Sequence, residues 1–143
     1  MSELGSPPGV ISFLGYRLVN LSYICPSDFE MNSLNNGKYH FSFSKTGDLL
    51  SDTEYQLNLA VRICFGETAD YSDAPFRLAV EMAGRYECQE GWKQQWESNA
   101  LAILFPYLRA LVSTITAQSG REPLLLPTVN IAQLFRENTK KKA

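Results

Sequence analysis

The sequence contains little of what a catalytic, metal-binding or disulfide-stabilised protein needs. Its 143 residues include one histidine, His40, and three cysteines, an odd number without a C-x-x-C spacing. Neither a disulfide framework nor a zinc site is therefore expected. No Gly-rich phosphate-binding loop and no G-x-S-x-G motif are present. An enzyme interpretation rests only on His40 paired with Cys25 or Cys64. The simpler interpretation is that the histidine faces solvent and that the cysteines are small core or strand residues.

Strong charge of one sign and a long apolar run are also missing. Thirteen Lys and Arg residues against fifteen Asp and Glu give a formal net charge of −2, which is too small to attract nucleic acid or a membrane surface by charge alone. The N-terminus lacks the basic and apolar regions of a signal peptide. The longest mostly apolar run, Ala100 to Leu108, is far shorter than the ~20 residues that span a bilayer. We expect a soluble, cytoplasmic protein.

What the chain does have is the composition of one ordinary globular domain. Hydrophobic residues make up 45% and charged residues 20%, and a chain of this length buries a sizeable core without cross-links. We expect a loose tail over residues 1–9, a single domain over residues 10–137 and a basic tail over residues 138–143. The three lysines at the end are interpreted as a solvated tail rather than a binding patch.

Alternation of apolar and polar residues predicts four strands. In the first, a β-branched and aromatic stretch ends at Cys25 and Pro26, and Gly15 indicates a bulge. The second follows a turn signal at residues 35–37, and a further turn is expected at residues 46–48. Short connections favour an antiparallel sheet in meander order with one buried face. The predicted strands cover residues 10–24, 39–44, 55–65 and 76–82.

Helical spacing replaces the alternation after Gly91. The apolar residues between positions 92 and 115 recur every three or four residues. Ser98 or Asn99 is a candidate N-cap, in which case residues before it form a separate turn. Pro106 is expected to kink the helix unless it lies near its start, and Gly120 to end it.

A short second helix is predicted after an extended stretch from Pro123 to Pro127. Asn130 and Gln133 resemble a capping box, and an apolar face follows, formed by Ile131, Leu134 and Phe135. The sequence therefore predicts an α+β fold, a four-stranded antiparallel sheet followed by a long helix and a short C-terminal helix.

Aromatic residues are plentiful, with eight Phe, seven Tyr and two Trp. Tyr39, Phe41 and Phe43 share one face of the second strand, and Trp92 and Trp96 lie at helical spacing. Composition alone favours a buried core for these residues. A partly exposed groove that receives apolar side chains from a partner is the alternative.

Two motifs in the C-terminal third resemble the SecB protein-export chaperones. Residues 99–109, NALAILFPYLR, are similar to the family pattern N-x-x-x-L-F-P-Y-x-R, and residues 124–135, LLLPTVNIAQLF, to L-x-L-x-P-V-N-F-x-x-L-F. Gly84 and Tyr86 match a Gly-x-aromatic pair at the end of the family's last strand. The resemblance covers roughly residues 10–135 and is strongest from Asn99 onward. It implies a four-stranded antiparallel sheet with two C-terminal helices, which the periodicity predicts independently.

The resemblance also implies a function. SecB proteins are ATP-independent holdases, chaperones that keep non-native client polypeptides unfolded by binding them in apolar grooves. They assemble as dimers of dimers, so a homodimer or a homotetramer is expected here. No cofactor and no catalytic residue are implied. By approximate alignment, the client-binding positions are Tyr39, Phe41, Phe43, Phe76, Leu78, Val80, Ile131, Leu134 and Phe135.

The departures from the family pattern concern its partners. Export members dock the SecA motor through acidic residues on the outer sheet face, and the corresponding positions here are Asn20, Ile24 and Ala79, none of which is acidic. SecA binding is therefore expected to be weak or absent. Relatives of SecB serve toxin–antitoxin systems, so a chaperone dedicated to a narrow client such as an antitoxin is the favoured interpretation. A non-catalytic oligomeric interaction module with a fixed partner is the alternative.

Overall fold

The fold is described here from a computed structural model, for residues 11–25, 38–66, 70–119, 123–127, 131 and 135. The expected tails and the turn signal at residues 35–37 lie outside these residues. The predicted α+β class is confirmed, with four strands followed by a long helix. The elements are β1 (Ser12–Ile24), β2 (Lys38–Leu49), β3 (Glu54–Gly66), β4 (Phe76–Glu87) and α1 (Glu97–Gln118).

The strands form one antiparallel sheet in the order β1-β4-β3-β2. The meander prediction holds for β2, β3 and β4, but it is wrong for β1, which pairs with β4 instead of β2. Residues 25–37 separate β1 from β2, and a connection of this length does not impose hairpin pairing. The resulting order is that of a Greek key, and β1 and β2 form the two edges of the sheet.

The turn predicted at residues 46–48 is also wrong, because β2 continues to Leu49. The chain reverses just after it, where the Leu50 backbone N–H donates to the Glu54 carbonyl at 2.9 Å. Gly47 has a different role. A Cβ atom at this position would lie 1.7 Å from the Tyr55 hydroxyl oxygen, so the glycine makes room for a tyrosine ring.

Contacts among the described residues define two compact units. The helix unit contains the described residues within Met1–Tyr16, Gly47–Leu57 and Gly84–Ala143. The sheet unit consists of those within Arg17–Thr46 and Asn58–Ala83. Each strand contributes to both units, and a single domain over residues 10–137 remains a prediction.

In the helix unit, two buried tyrosines anchor the first turn of α1. The Tyr86 hydroxyl donates to the Ala100 carbonyl at 2.8 Å, and the Tyr55 hydroxyl donates to the Glu97 carboxylate. A Cβ atom on Gly84 would lie 2.8 Å from the Tyr86 hydroxyl oxygen, so this strand glycine also makes room for a tyrosine. The Gly-x-aromatic pair thus positions α1 on the sheet.

The start of α1 differs from the prediction. A 3₁₀ turn at Gln94–Trp96 precedes it, which agrees with the separate turn expected there. The N-cap is Trp96 and not Ser98 or Asn99. Stacking explains the earlier start, because the Trp92 ring packs on Tyr55 at 4.4 Å and meets the Trp96 ring edge-on at 6.1 Å. Aromatic packing of this kind outweighs a local capping preference.

Helix α1 is apolar beyond its buried face. Pro106 lies inside it, and the predicted kink remains a prediction. By length and composition alone, Gln94–Gln118 is apolar enough to cross a membrane, although the core helix of a soluble protein meets the same criterion. Along α1, Glu97 and Arg109 are the charged residues. The buried residues are Ala100, Leu101, Leu104, Phe105, Leu108, Val112 and Thr116.

The predicted extended stretch Pro123–Pro127 is held against α1 through its backbone. Arg109 Nε donates to the Leu126 carbonyl at 3.1 Å, and the Ser113 hydroxyl donates to the Leu124 carbonyl at 3.1 Å. The Leu124 N–H donates to the Thr116 hydroxyl at 2.7 Å. Leu124 and Leu126 are buried, so hydrogen bonds and apolar packing fix this segment together.

The two anchoring tyrosines predict loss of stability at alkaline pH. Burial raises the pKa of Tyr86 above its usual value of 10.0, and burial together with the Glu97 carboxylate raises that of Tyr55. Above pH 10 the folded protein retains these protons while the unfolded chain loses them. The contribution of each tyrosine to the free energy of unfolding is therefore fully present below pH 10. Above pH 10 the free energy of unfolding falls by about 1.4 kcal/mol per pH unit for each of the two tyrosines. Denaturant titrations between pH 9 and 11 measure this slope. Tyr86→Phe is expected to reduce it, and an unchanged slope contradicts the assignment.

Candidate polypeptide-binding surface

The sheet unit carries a row of half-buried aromatic side chains on its edge strand β2. Tyr39, Phe41 and Phe43, here called the aromatic row, are each partly exposed. The Tyr39 ring lies 6.3 Å from that of Phe41 and meets Phe65 edge-on at 4.9 Å and Phe76 edge-on at 5.8 Å. Tyr39 is therefore packed on the buried rings of Phe65 and Phe76, and each residue of the row keeps part of its surface accessible.

The β4 residues assigned to the same role are enclosed. Phe76 and Leu78 have no exposed surface and Val80 has 1%. They belong to the buried face that alternation predicted for β4. Alternation does not distinguish the β2 residues from the β4 residues, whereas the structure separates a partly exposed row on β2 from a buried layer on β4.

Residues predicted on the C-terminal helix belong to the helix unit. Ile131 is helical and buried, and Phe135 is helical and half-buried. Leu134 lies outside the described residues. Of the two that are described, Phe135 presents more surface to a ligand.

None of the three positions that align with the SecA-docking residues of export members carries a carboxylate. Asn20 and Ala79 line a shallow depression in the sheet unit, and Ile24 is exposed. The acidic residue at this depression is Glu81, which sequence reasoning did not single out and whose carboxylate accepts from Asn58 Nδ2 at 2.7 Å. The depression is lined by Asn20, Ser44, Ala60, Val61, Arg62, Ala79, Val80 and Glu81.

The residues of the enzyme interpretation lie in ordinary structural environments. His40 is half-buried rather than solvent-facing, and its Nε2 atom lies 3.1 Å from the Gly66 carbonyl oxygen. Burial and the nearby Asp70 charge raise the pKa of the Cys64 thiol, which is the opposite of what a nucleophile requires. Cys25 is half-buried. Among the described residues, no group of three His, Cys, Asp or Glu side chains is placed to hold a metal ion.

Strand β1 exposes large apolar side chains along the opposite edge of the sheet. Gly15 has a φ of 130°. Phe13 and Tyr16, which lie on opposite faces of a regular strand, both contact the Tyr107 ring, at 5.5 and 4.6 Å. This irregularity agrees with the predicted bulge. Side chains with 39–51% exposure are Leu14, Tyr16, Leu18, Val19, Leu21 and Ile24.

Comparison with solved structures and family patterns defines the class of protein. The fold matches that of the Mycobacterium tuberculosis Rv1957 SecB-like chaperone, solved with a ChAD peptide from the Rv1956 HigA1 antitoxin, with a TM-score of 0.64. The match has 14% identity and covers 83% of this chain and 90% of that chain. This is an α+β protein with a SecB-like fold. The family model described as preprotein translocase subunit SecB matches residues 20–142, and the chain belongs to the SecB family.

Similar curated proteins include one of uncharacterized function and one that is named as SecB. The chain is 40% identical over 93 residues to the uncharacterized protein MJ0357 of Methanocaldococcus jannaschii, a match that covers 57% of this chain and 60% of the relative. It is 24% identical over 102 residues to the protein-export protein SecB of Rhodopseudomonas palustris, covering 68% and 60% respectively. The chain thus spans about 60% of the length of these curated relatives.

Proposed function

We propose that this protein is an ATP-independent chaperone that holds non-native client polypeptides, and that the aromatic row on β2 contacts them. The observation that carries the proposal is that Tyr39, Phe41 and Phe43 remain partly exposed although a buried layer supports them. Membership of the SecB family supports a chaperone role. No catalytic step is part of the proposal.

The physical basis of binding is the burial of apolar client surface, which does not require a particular client sequence. Each square ångström of apolar surface removed from water contributes ~25 cal/mol, and aromatic rings accept many apolar side chains. Because Tyr39 is fixed by ring contacts with Phe65 and Phe76, it loses little conformational freedom when a client binds. Phe135 is proposed as a further contact in the helix unit. Several weak contacts on one client add avidity without any nucleotide.

We also propose that the protein assembles with itself through β1. A long edge strand with exposed apolar side chains on both faces associates with other chains unless a partner covers it. The apolar stretch of α1 provides further surface of the same kind. In a homodimer, the β1 edges of the two copies cover each other symmetrically. Pairing of two such dimers gives a homotetramer.

We propose that the protein binds a narrow range of clients rather than exported proteins in general. The Rv1957 chaperone was solved with a peptide from an antitoxin, and an aggregation-prone antitoxin is the kind of client that this proposal favours. General protein export requires the motor SecA as a partner, and the charge at the aligned positions does not support that partnership.

Weak or absent binding to SecA is the corresponding prediction. Asn20, Ile24 and Ala79 supply no carboxylate at the aligned positions, and Glu81 is engaged by Asn58. Calorimetric titration with SecA is expected to show no complex with a dissociation constant below the micromolar range. A salt-sensitive, submicromolar complex contradicts this prediction, because salt sensitivity identifies charge-driven docking.

Suppression of aggregation tests the chaperone proposal. A chemically denatured test protein is diluted into buffer without nucleotide, and light scattering is followed with and without a stoichiometric amount of the chaperone. We expect scattering to be largely suppressed and unaffected by added ATP. An interaction module with a fixed partner leaves scattering unchanged, which is the result that contradicts the proposal.

A further inference from the structure

Two arginines lie side by side on the outer face of the sheet unit. In β3 and β4 the buried residues alternate with outer residues, which include Asn58, Arg62, Arg77 and Glu81. Asn58 Nδ2 donates to the Glu81 carboxylate at 2.7 Å, and this contact fixes the pairing of the two antiparallel strands. Four residues further along each strand, the same pairing places Arg62 directly beside Arg77.

The arginine pair is unmatched in charge, unlike its neighbours in the same register. The pair that precedes it shares the hydrogen bond just described, and the pair before that is the ion pair between Glu54 and Arg85. Like charges that lie directly opposite on adjacent strands repel each other. Among the described residues, neither Arg62 nor Arg77 forms an ion pair with a carboxylate. The pair therefore carries two positive charges without a bound counter-charge in the described part of the chain.

One turn holds both guanidinium groups. The Arg62 guanidinium carbon lies 5.1 Å from the centre of the Tyr71 ring. Arg77 Nη1 donates to the Ser72 carbonyl at 3.0 Å. Because Tyr71 and Ser72 are consecutive residues of the 3₁₀ turn Tyr71–Asp73, the two cations are held close together. Arg77 Nε is buried and has no hydrogen-bond partner among the described residues, so an acceptor placed beside this guanidinium group stabilises it.

The carboxylates of the turn determine how a ligand binds. Asp70 and Asp73 are both exposed, and Asp70 Oδ1 accepts from the Ser72 N–H at 3.1 Å. Their charges lower the positive potential at the arginine pair. A ligand is therefore held through directed hydrogen bonds to the two guanidinium groups rather than through long-range attraction, and its own groups have to match their planar donors.

Polar side chains extend this surface on both sides of the arginine pair. The shallow depression brings Asn20 of β1 and Ser44 of β2 to the same level of the sheet. Ser22 and Ser42, both exposed, lie two residues beyond them, in the same row as the arginines. Four strands at a spacing of ~4.8 Å give this row a length of about 14 Å. A free phosphate ion covers only the arginine pair, whereas an extended polypeptide covers the whole row.

We infer that Arg62, Arg77 and the serines beside them form a docking site for an acidic polypeptide segment, whose carboxylates accept hydrogen bonds from the two guanidinium groups. The rigid, planar donor set of arginine matches the geometry of a carboxylate. The site lies on the face opposite the aromatic row, because Tyr39 packs on the buried Phe65. It is therefore separate from the proposed client contacts and does not depend on the proposed chaperone function.

Fluorescence anisotropy with the full-length protein tests the site. The probe is a peptide that alternates glutamate with serine and carries an uncharged dye, and its matched control has lysine in place of each glutamate. We expect the acidic peptide to bind at least about tenfold more tightly than the basic one. Arg62→Gln is expected to weaken its binding at least about fivefold. Arg85→Gln removes the same charge from an arginine that already pairs with Glu54, and it is expected to leave the affinity within about twofold of wild type.

Thermal melting separates docking from a structural role of Arg62. In Arg62→Gln, the loss of stacking on Tyr71 and the relief of repulsion from Arg77 offset each other, so we expect the melting temperature and the suppression of aggregation to stay close to those of wild type. A much lower melting temperature contradicts the inference. Equal affinity for the two peptides, absence of binding, or equal weakening by Arg62→Gln and Arg85→Gln also overturns it. Displacement of the acidic peptide by micromolar inorganic phosphate identifies a phosphate site instead and overturns it as well.

Discussion

Replacing Leu18 with glutamate is expected to convert the assembled protein into monomers. Leu18 is 45% exposed on β1, so a carboxylate there remains in water in the isolated chain and its fold is retained. In a β1 interface the same carboxylate is desolvated without a partner, which costs ~3–5 kcal/mol. Self-association weakens by at least ~100-fold, and light scattering at micromolar concentration detects the change.

Leu125→Glu is the matched control for this experiment. Leu125 is 65% exposed in the segment that α1 holds by hydrogen bonds, outside the β1 edge. Its substitution introduces the same charge and is expected to leave the assembly unchanged. Wild-type protein that is already monomeric at micromolar concentration contradicts the assembly proposal, as does a Leu18→Glu variant that assembles normally.

Loss of client binding without loss of stability is expected when Phe41 and Phe43 are both replaced with alanine. Both side chains are only half-buried, so their removal leaves little cavity and costs much less than the ~3–5 kcal/mol of a fully buried phenylalanine. The apolar surface offered to the client is reduced at the same time. We expect the double variant to keep its fold and its assembly and to lose most of its suppression of aggregation.

Phe76→Ala provides the opposite control. Phe76 has no exposed surface and lies behind Tyr39, so its truncation is expected to lower the free energy of unfolding by about 3–5 kcal/mol. Thermal melting and aggregation suppression are measured on both variants. If Phe41→Ala/Phe43→Ala melts as low as Phe76→Ala, with activity falling in proportion, the aromatic row belongs to the core and the client contacts lie elsewhere.

Periodicity alone predicts the class of fold, because both periods are strong in this chain. Every second residue of β3 from Tyr55 to Phe65 is buried, as the alternation predicts, and Cys64 is buried in addition. The buried residues of α1 follow helical spacing. The C-terminal motifs in addition indicate the SecB family, to which the chain belongs.

Errors arise where distant residues determine local structure. Gly47 is a turn signal by its type, yet it lies within β2 because the Tyr55 ring needs the space of its missing Cβ. The start of α1 moves to Glu97 because aromatic rings pack around Trp92 and Trp96. The position of β1 beside β4 depends on a long connection whose path no local pattern specifies.

The candidate site was predictable in part. Alternation places Tyr39, Phe41 and Phe43 on one face of β2, but it does not distinguish a half-exposed face from a buried one. Phe76 shows the same pattern and has no exposed surface. The difference arises from sheet order, since β2 lies at an edge and β4 lies between β1 and β3.

Binding of an unfolded chain in preference to the same chain folded tests the central claim most directly. The ligand is one small disulfide-containing protein, used either native or reduced and carboxymethylated so that it cannot refold, and calorimetric titration is performed without nucleotide. The account predicts a measurable complex with the unfolded form only, unchanged by ATP and weakened by Phe41→Ala/Phe43→Ala. Equal binding of both forms, or no complex with the unfolded one, contradicts it.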